Sequence, residues 1–195
     1  MRYWLDTEFI EDGQTIDLIS VGIVAENGRE YYAINLDCNF GRANDWVIKN
    51  VFPHLPFAIS ESFSELDQFS AWQQGFRNKK TIAKEVVEFV LSAEINTHLW
   101  SYEELIDYKL DRKPELWGYY CDYDWVVICQ LFGSMVNLPK SFPMYCRDIK
   151  QWCDSLGNPK LPIKNKSHHA LEDARWIKMA WEFLSAYSES SSELD

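Results

Sequence analysis

The first nine residues, Met1-Arg2-Tyr3-Trp4-Leu5-Asp6-Thr7-Glu8-Phe9, constrain the chain more than any other stretch. They read as an apolar strand that ends in two carboxylates one residue apart. Alternate residues of a strand project to the same side, so Asp6 and Glu8 are expected to point together. Neighbouring carboxylates repel one another unless a proton or a cation lies between them. An isolated Asp-x-Glu is most often a pair of solvated acids. Here further acids and a histidine follow downstream in a pattern that supplies the pair with partners.

The chain after this strand reads as alternating elements. Residues 15–25 are rich in β-branched side chains and form a second, buried strand. Asn27-Gly28 is a hairpin signal, and residues 30–36 make a third strand. A short helix is expected over 42–51, closed by Pro53 and Pro56, while 57–78 shows no clean period. Residues 79–93 form an amphipathic helix with Ile82, Val86, Phe89 and Val90 on one stripe. The polar stretch 94–113 looks like an insertion, either a lid or a spacer. A strand over 115–121 leads into Asp122-Tyr123-Asp124 and an apolar helix over 125–135. A short strand over 144–147, a helix over 148–156 and a final helix over 170–187 follow. The Ser/Glu-rich stretch 188–195 reads as a disordered tail. The expectation is one α/β domain over 1–187, built on a mixed five-stranded sheet with flanking helices.

Composition narrows the setting. With 195 residues, of which 47% are hydrophobic, the chain can bury a full core. No apolar run approaches the roughly 18 residues that span a bilayer, and the start lacks the pattern of a secretory signal. The expected location is cytoplasmic, with no membrane partner. Five cysteines without a Cys-x-x-Cys pair argue for free thiols over a disulfide framework or a zinc cage. The net charge of −11 is unevenly spread: residues 140–180 hold eight Lys/Arg against four acids, a local +4, which leaves −15 elsewhere. A basic third beside an acidic cluster suits a metal site that accepts a phosphate chain, although an ordinary solvated surface has the same composition.

The acids fall at the end of the first strand, after the fourth, and in the last helix, where they can converge at one edge of an α/β sheet. Carboxylate oxygens are the ligands that Mg²⁺ and Mn²⁺ prefer. Two such ions about 3.5–4 Å apart clamp the attacking and leaving oxygens of a phosphoryl displacement. His168 and Asp173 are five residues apart, about 500° of helical rotation, so within one helix they would face apart. Asp173 is therefore placed on the helix and His168 on the loop before it, as suits a base that meets the substrate.

These residues carry a resemblance. Asp6-Thr7-Glu8, the Tyr-Asp segment at Asp124 and His168-x4-Asp173 resemble the three exonuclease motifs of the DEDDh family of 3′–5′ exonucleases, which have a ribonuclease H-like fold. More narrowly, residues 6–13, 123–131 and 169–175 resemble the RNase AS-type, polyadenylate-specific exoribonucleases. The resemblance spans nearly the whole chain. It implies two Mg²⁺ ions, with Mn²⁺ able to substitute, bound by Asp6, Glu8, Asp124 and Asp173, with His168 as general base. It also implies hydrolysis of single-stranded RNA, including A-rich ends, from a free 3′-hydroxyl to nucleoside 5′-monophosphates, and a possible homodimer by analogy. Asp122 stays open as the second-motif acid, with the apolar run after Asp124 favouring the latter. His169 adjoins His168 but lacks the four-residue spacing to Asp173.

Other residues are weighed against plainer readings. Phe9 and Trp125 are candidates for stacking on a base, with core packing as the competing role for both. Arg147, Lys164 and Lys166 are candidates for holding phosphates near the scissile bond, although an isolated Lys is usually only solvated. Trp4, Trp117, Trp152, Trp176 and Trp181 are expected in the core. The first rival is the same chemistry on single-stranded DNA. The second is a catalytically silent module that binds nucleic acid or a protein partner; its expected signature, loss of an acid or the histidine, is not met here. The His-x4-Asp spacing resembles the exonuclease branch more than a metal-dependent endonuclease.

Overall fold

The computed structural model describes residues 1–56, 73–165 and 168–192. Strands β1 (Arg2–Glu11), β2 (Ile16–Ala25) and β3 (Glu30–Asn35) form an antiparallel meander. Gly28, at φ 83°, turns the β2–β3 hairpin at the expected Asn-Gly. β4 (Phe76–Arg77) adds in parallel beside β3. On the other side β5 (Glu115–Gly118) runs parallel to β1, and β6 (Arg147–Asp148) runs parallel to β5. The order is β4-β3-β2-β1-β5-β6. This mixed α/β architecture agrees with a ribonuclease H-like domain, with six strands in place of five. The sixth is the two-residue β4, too short for any periodic signal.

The helices are α1 (Asp45–Asn50), α2 (Lys79–Leu91), α3 (Tyr102–Asp107), α4 (Asp122–Leu131), α5 (Ile149–Ser155) and α6 (Ala170–Ser192). Their starts follow local chemistry. The side chains of Asn44, Asn78 and Asp148 accept hydrogen bonds from Val47, Thr81 and Gln151 N–H groups, which satisfies donors otherwise orphaned at a helix start. α6 runs five residues past its expected end at 187, so the stretch 188–192 is helical. Residues 193–195, and most of the 57–78 stretch, lie outside the described residues.

Successive residues of β1 feed opposite faces of the sheet. Tyr3 and Leu5 join a cluster with Val86, Val90 and Ile128 from α2 and α4. Trp4 joins the opposite cluster with Ile149, Trp176 and Ile177 from α5 and α6, against which Trp117, Trp152 and Trp181 also pack. A third cluster unites Ile10, Ile19 and Ile34 with Val47 and Val51 of the α1 region. Asp6 and Glu8 thus lie along β1 between Trp4 and Ile10, in the gap that separates two apolar clusters.

The 94–113 stretch is tied down. Ser101 and Glu104 form a reciprocal cap on α3, Leu105 is fully buried in the α2/α4 cluster, and Lys140 N–H donates to the Ile106 carbonyl at 2.9 Å. Through Leu105 it packs into the cluster that also holds Tyr3 and Leu5 of β1. All five cysteines are free thiols, four of them buried. Among the described residues no helix is long and apolar enough to cross a membrane.

Candidate active site

Asp6 and Glu8 project from the same face of β1, opposite Gly22 and Ser20 of β2. Just beyond Glu8 the register slips, because β2 inserts Ile19 between the partners of Glu8 and Phe9. Such bulges bend a strand and recur beside functional sites. Glu8 is buried and Asp6 half-buried.

The third carboxylate comes from the neighbouring parallel strand. β5 ends at Gly118, where a Cβ would lie 2.4 Å from the Cβ of Cys121. Tyr120 adopts φ 55°, and the Cys121 N–H donates to Asp148 at 2.9 Å. This tight turn starts α4 at Asp122, three residues earlier than expected. Asp122 and Asp124 are therefore about 200° apart around a helix. Asp122 faces solvent and Asp124 is 6% exposed. Thr7, between Asp6 and Glu8 in sequence, donates to Asp124 Oδ1 twice, from its backbone N at 2.7 Å and its hydroxyl at 2.6 Å.

The fourth carboxylate sits in the first turn of α6. The start of this helix rests on β2 at Gly22, where a Cβ would approach Ala170 C and O and Leu171 N to 2.4 Å. Asp173 is 3% exposed, its N–H donates to the His169 carbonyl at 2.9 Å, and its carboxylate pairs with Lys164 at 3.3 Å. His168 and His169 both precede the helix, as expected. A ring nitrogen of His168 and carboxylate oxygens of Glu8 and Asp173 all lie within 4.8 Å of one another. The His169 ring instead stacks on Tyr32, 4.6 Å away and 17° from parallel. Of the two histidines, His168 is the one grouped with the carboxylates.

The electrostatics of the cluster follow from burial and crowding. Glu8 is pushed up to about 8, first by burial and then by Asp173 and Asp124, with Lys164 opposing. Asp6 is raised well above the usual carboxylate range by burial, then by Asp124, Glu8 and Asp173. Asp124 is raised to about 6 by burial, against the two hydrogen bonds from Thr7. Lys164 lies beside these four carboxylates as a counter-charge, and a divalent cation is what such an oxygen-donor set accommodates. The residues present fit a bound Mg²⁺ or Mn²⁺.

The remaining candidates divide. Lys164 lies at the cluster. Arg147 sits on edge strand β6, its guanidinium 5.6 Å from the centroids of the Trp117 and Tyr145 rings, in a separate depression with Arg112 and Lys113. The structure does not bring it to the carboxylates. Lys166 lies outside the described residues. Phe9 is partly buried, and its ring meets Tyr123 edge-on at 5.8 Å. Trp125 is 9% exposed and packs in the core, which corrects the stacking role considered for it. The earlier start of α4 explains the change, because it turns position 125 inward and leaves Tyr123 49% exposed.

Three residues that the sequence did not single out shape the site: Thr7, Gly22 and Tyr32. Gly22 had a faint signal as a glycine inside a strand, which often marks close backbone approach. The others had none.

Comparison with known proteins gives one consistent result. A family model described as the 3′–5′ exoribonuclease Rv2179c-like domain matches residues 1–185. Two proteins of Mycobacterium tuberculosis are similar to the chain: 3′–5′ exoribonuclease Rv2179c of strain ATCC 25618 / H37Rv and 3′–5′ exoribonuclease MT2234.1 of strain CDC 1551 / Oshkosh. Each is 37% identical over 178 residues, which cover 90% of this chain and 88% of the relative.

Proposed function

This chain belongs to the Rv2179c-like 3′–5′ exoribonuclease domain family, and on that premise we propose that it shortens single-stranded RNA from the 3′ end, releasing nucleoside 5′-monophosphates, as a DEDDh-type enzyme of the RNase AS group. The observation that carries the reading is the convergence of Glu8, His168 and Asp173 within 4.8 Å, beside an Asp124 held by Thr7.

Asp6, Glu8, Asp124 and Asp173 would hold two Mg²⁺ ions, with Mn²⁺ as a substitute. When bound, such ions neutralise charge on the phosphate and lower the pKa of water at the site. The chain's own groups do the rest. The His168 imidazole accepts the proton of the attacking water. The water oxygen bonds to phosphorus as the P–O3′ bond breaks, which leaves a 3′-hydroxyl on the shortened strand and a 5′-phosphate on the released nucleotide. Lys164, beside Asp173, offers positive charge to non-bridging phosphate oxygens. Thr7 holds Asp124 against the repulsion of its neighbours.

The test compares 5′-labelled RNA and DNA of equal sequence, with A-rich and mixed 3′ ends, in Mg²⁺ and in chelator. Stepwise shortening of RNA that stops in chelator and is abolished by Asp173→Asn supports the reading. Equal rates on DNA would remove the sugar preference, and internal cuts or turnover in chelator would overturn the mechanism.

A further inference from the structure

α1 is short, capped by Asn44, and anchored through Val47, 4% exposed. Val51, just past its end, is 1% exposed in the same cluster, with Ile10 and Ile34. One residue before Val47, a helix turns about 100°, and Trp46 points away from that core. The residue is 54% exposed, an unusual setting for so large an apolar side chain. The ring is not idle. It meets the His168 imidazole at 4.9 Å between centroids and 77° between planes, the edge-to-face arrangement that aromatic quadrupoles favour.

His168 needs outside support. Its φ is 43°, the left-handed region that a side chain with a Cβ seldom adopts and that persists only when its surroundings hold it there. The imidazole has two sets of neighbours: carboxylate oxygens of Glu8 and Asp173 within 4.8 Å of a ring nitrogen, and the Trp46 indole, which meets the ring edge-to-face.

We propose that Trp46 is a positioning residue for the exonuclease reaction, its indole bracing the His168 imidazole in the orientation that faces Glu8 and Asp173. The inference rests on the reading of His168 as the base. Trp46 acts on the proton-accepting step through His168 and contributes nothing to RNA affinity.

The experiment is a double-mutant cycle with a structural readout. Trp46→Leu, Trp46→Phe, His168→Ala and the Trp46→Leu/His168→Ala double variant are assayed on 5′-labelled RNA in Mg²⁺. The His168 imidazole signal is followed by NMR, assigned by its loss in His168→Ala. Trp46→Leu is expected to shift that signal and to lower kcat about ten- to a hundredfold, the scale for a misplaced catalytic group, with KM unchanged. Trp46→Phe restores most of kcat, and Trp46→Leu has no further effect once His168 is Ala. A raised KM with unaltered kcat would make Trp46 a platform for the base and overturn the proposal. So would an unmoved His168 signal, a loss that Phe fails to rescue, or an equal loss in the His168→Ala background. If His168→Ala itself keeps wild-type kcat, the assignment of the base falls, and the NMR arm still reports whether the contact exists.

Discussion

Gly22 of β2 and Ala170 at the start of α6 are in backbone contact, so close that a Cβ on Gly22 would sit 2.4 Å from the carbonyl carbon and oxygen of Ala170. Gly22 is also the cross-strand partner of Asp6. A single hydrogen in place of a methyl thus sets the distance between the strand that carries Asp6 and Glu8 and the helix that carries Asp173. Gly22→Ala is expected to lift the helix start. Overpacking of this kind costs about 1–3 kcal/mol, and the accompanying misalignment lowers kcat by about a hundredfold. Thermal unfolding and single-turnover assays check both effects; a variant with wild-type turnover would show that the contact does not set the site.

Thr7 controls how readily Asp124 carries its charge. Its two hydrogen bonds go to the ionised form and lower the pKa of a group that burial raises. Thr7→Val removes the hydroxyl, so the pKa of Asp124 rises and protons compete better with metal. The Mg²⁺ concentration for half-maximal activity is expected to increase more at pH 6 than at pH 8, by up to about tenfold for each pH unit by which the pKa is displaced. Mg²⁺ titrations at the two pH values test this, and equal behaviour of variant and wild type would refute it.

Glu8 links the site to folding. Its pKa is raised from the ordinary 4.5 to about 8, so the folded state favours the protonated form. The stabilisation is complete below pH 4.5 and is lost as pH rises through about 8. One pH unit in a pKa corresponds to about 1.4 kcal/mol, so the effect is a few kcal/mol. In chelator, the unfolding midpoint of the wild type is expected to fall between pH 5 and pH 8 relative to Glu8→Gln, and Mg²⁺ should restore it at pH 8. A parallel course for the two proteins would contradict this account.

Lys164 pairs with Asp173, and it opposes the raised pKa of Asp6, Glu8 and Asp124. Lys164→Met removes a competitor for metal and, on the reading above, a phosphate contact. Mn²⁺ binding by calorimetry is expected to be as tight as in the wild type or tighter, while turnover drops by about tenfold, the scale of one lost charge-assisted contact. Weaker Mn²⁺ binding would mean that Lys164 orders the carboxylates.

Much of the chain was legible because its signals are local. The period of two puts Asp6 and Glu8 on one side of a strand, the Asn-Gly pair turns the hairpin, and the five-residue step from His168 to Asp173 separates loop from helix. Each depends on residues within one turn or one strand. What went astray lay at element ends or outside any period. α4 begins at Asp122 because the Asp148 carboxylate takes the Cys121 N–H across 27 residues, and that start decides which of Asp122 and Asp124 turns inward. Arg147 belongs to a basic segment, yet the edge strand carries it away from the carboxylates.

By itself, then, the sequence determined the order of the elements that carry longer strand and helix signals, though not β4 or α3, and the residue types of the candidate site. Only the tertiary structure decided that Thr7 grips Asp124 across 117 residues, that Gly22 admits the start of α6, and that Trp46 meets His168. The physical reason is the range of the forces involved. Hydrogen-bonding and steric preferences of neighbouring residues act within a few positions, whereas contacts that align a catalytic cluster arise only after packing has closed loops many tens of residues long.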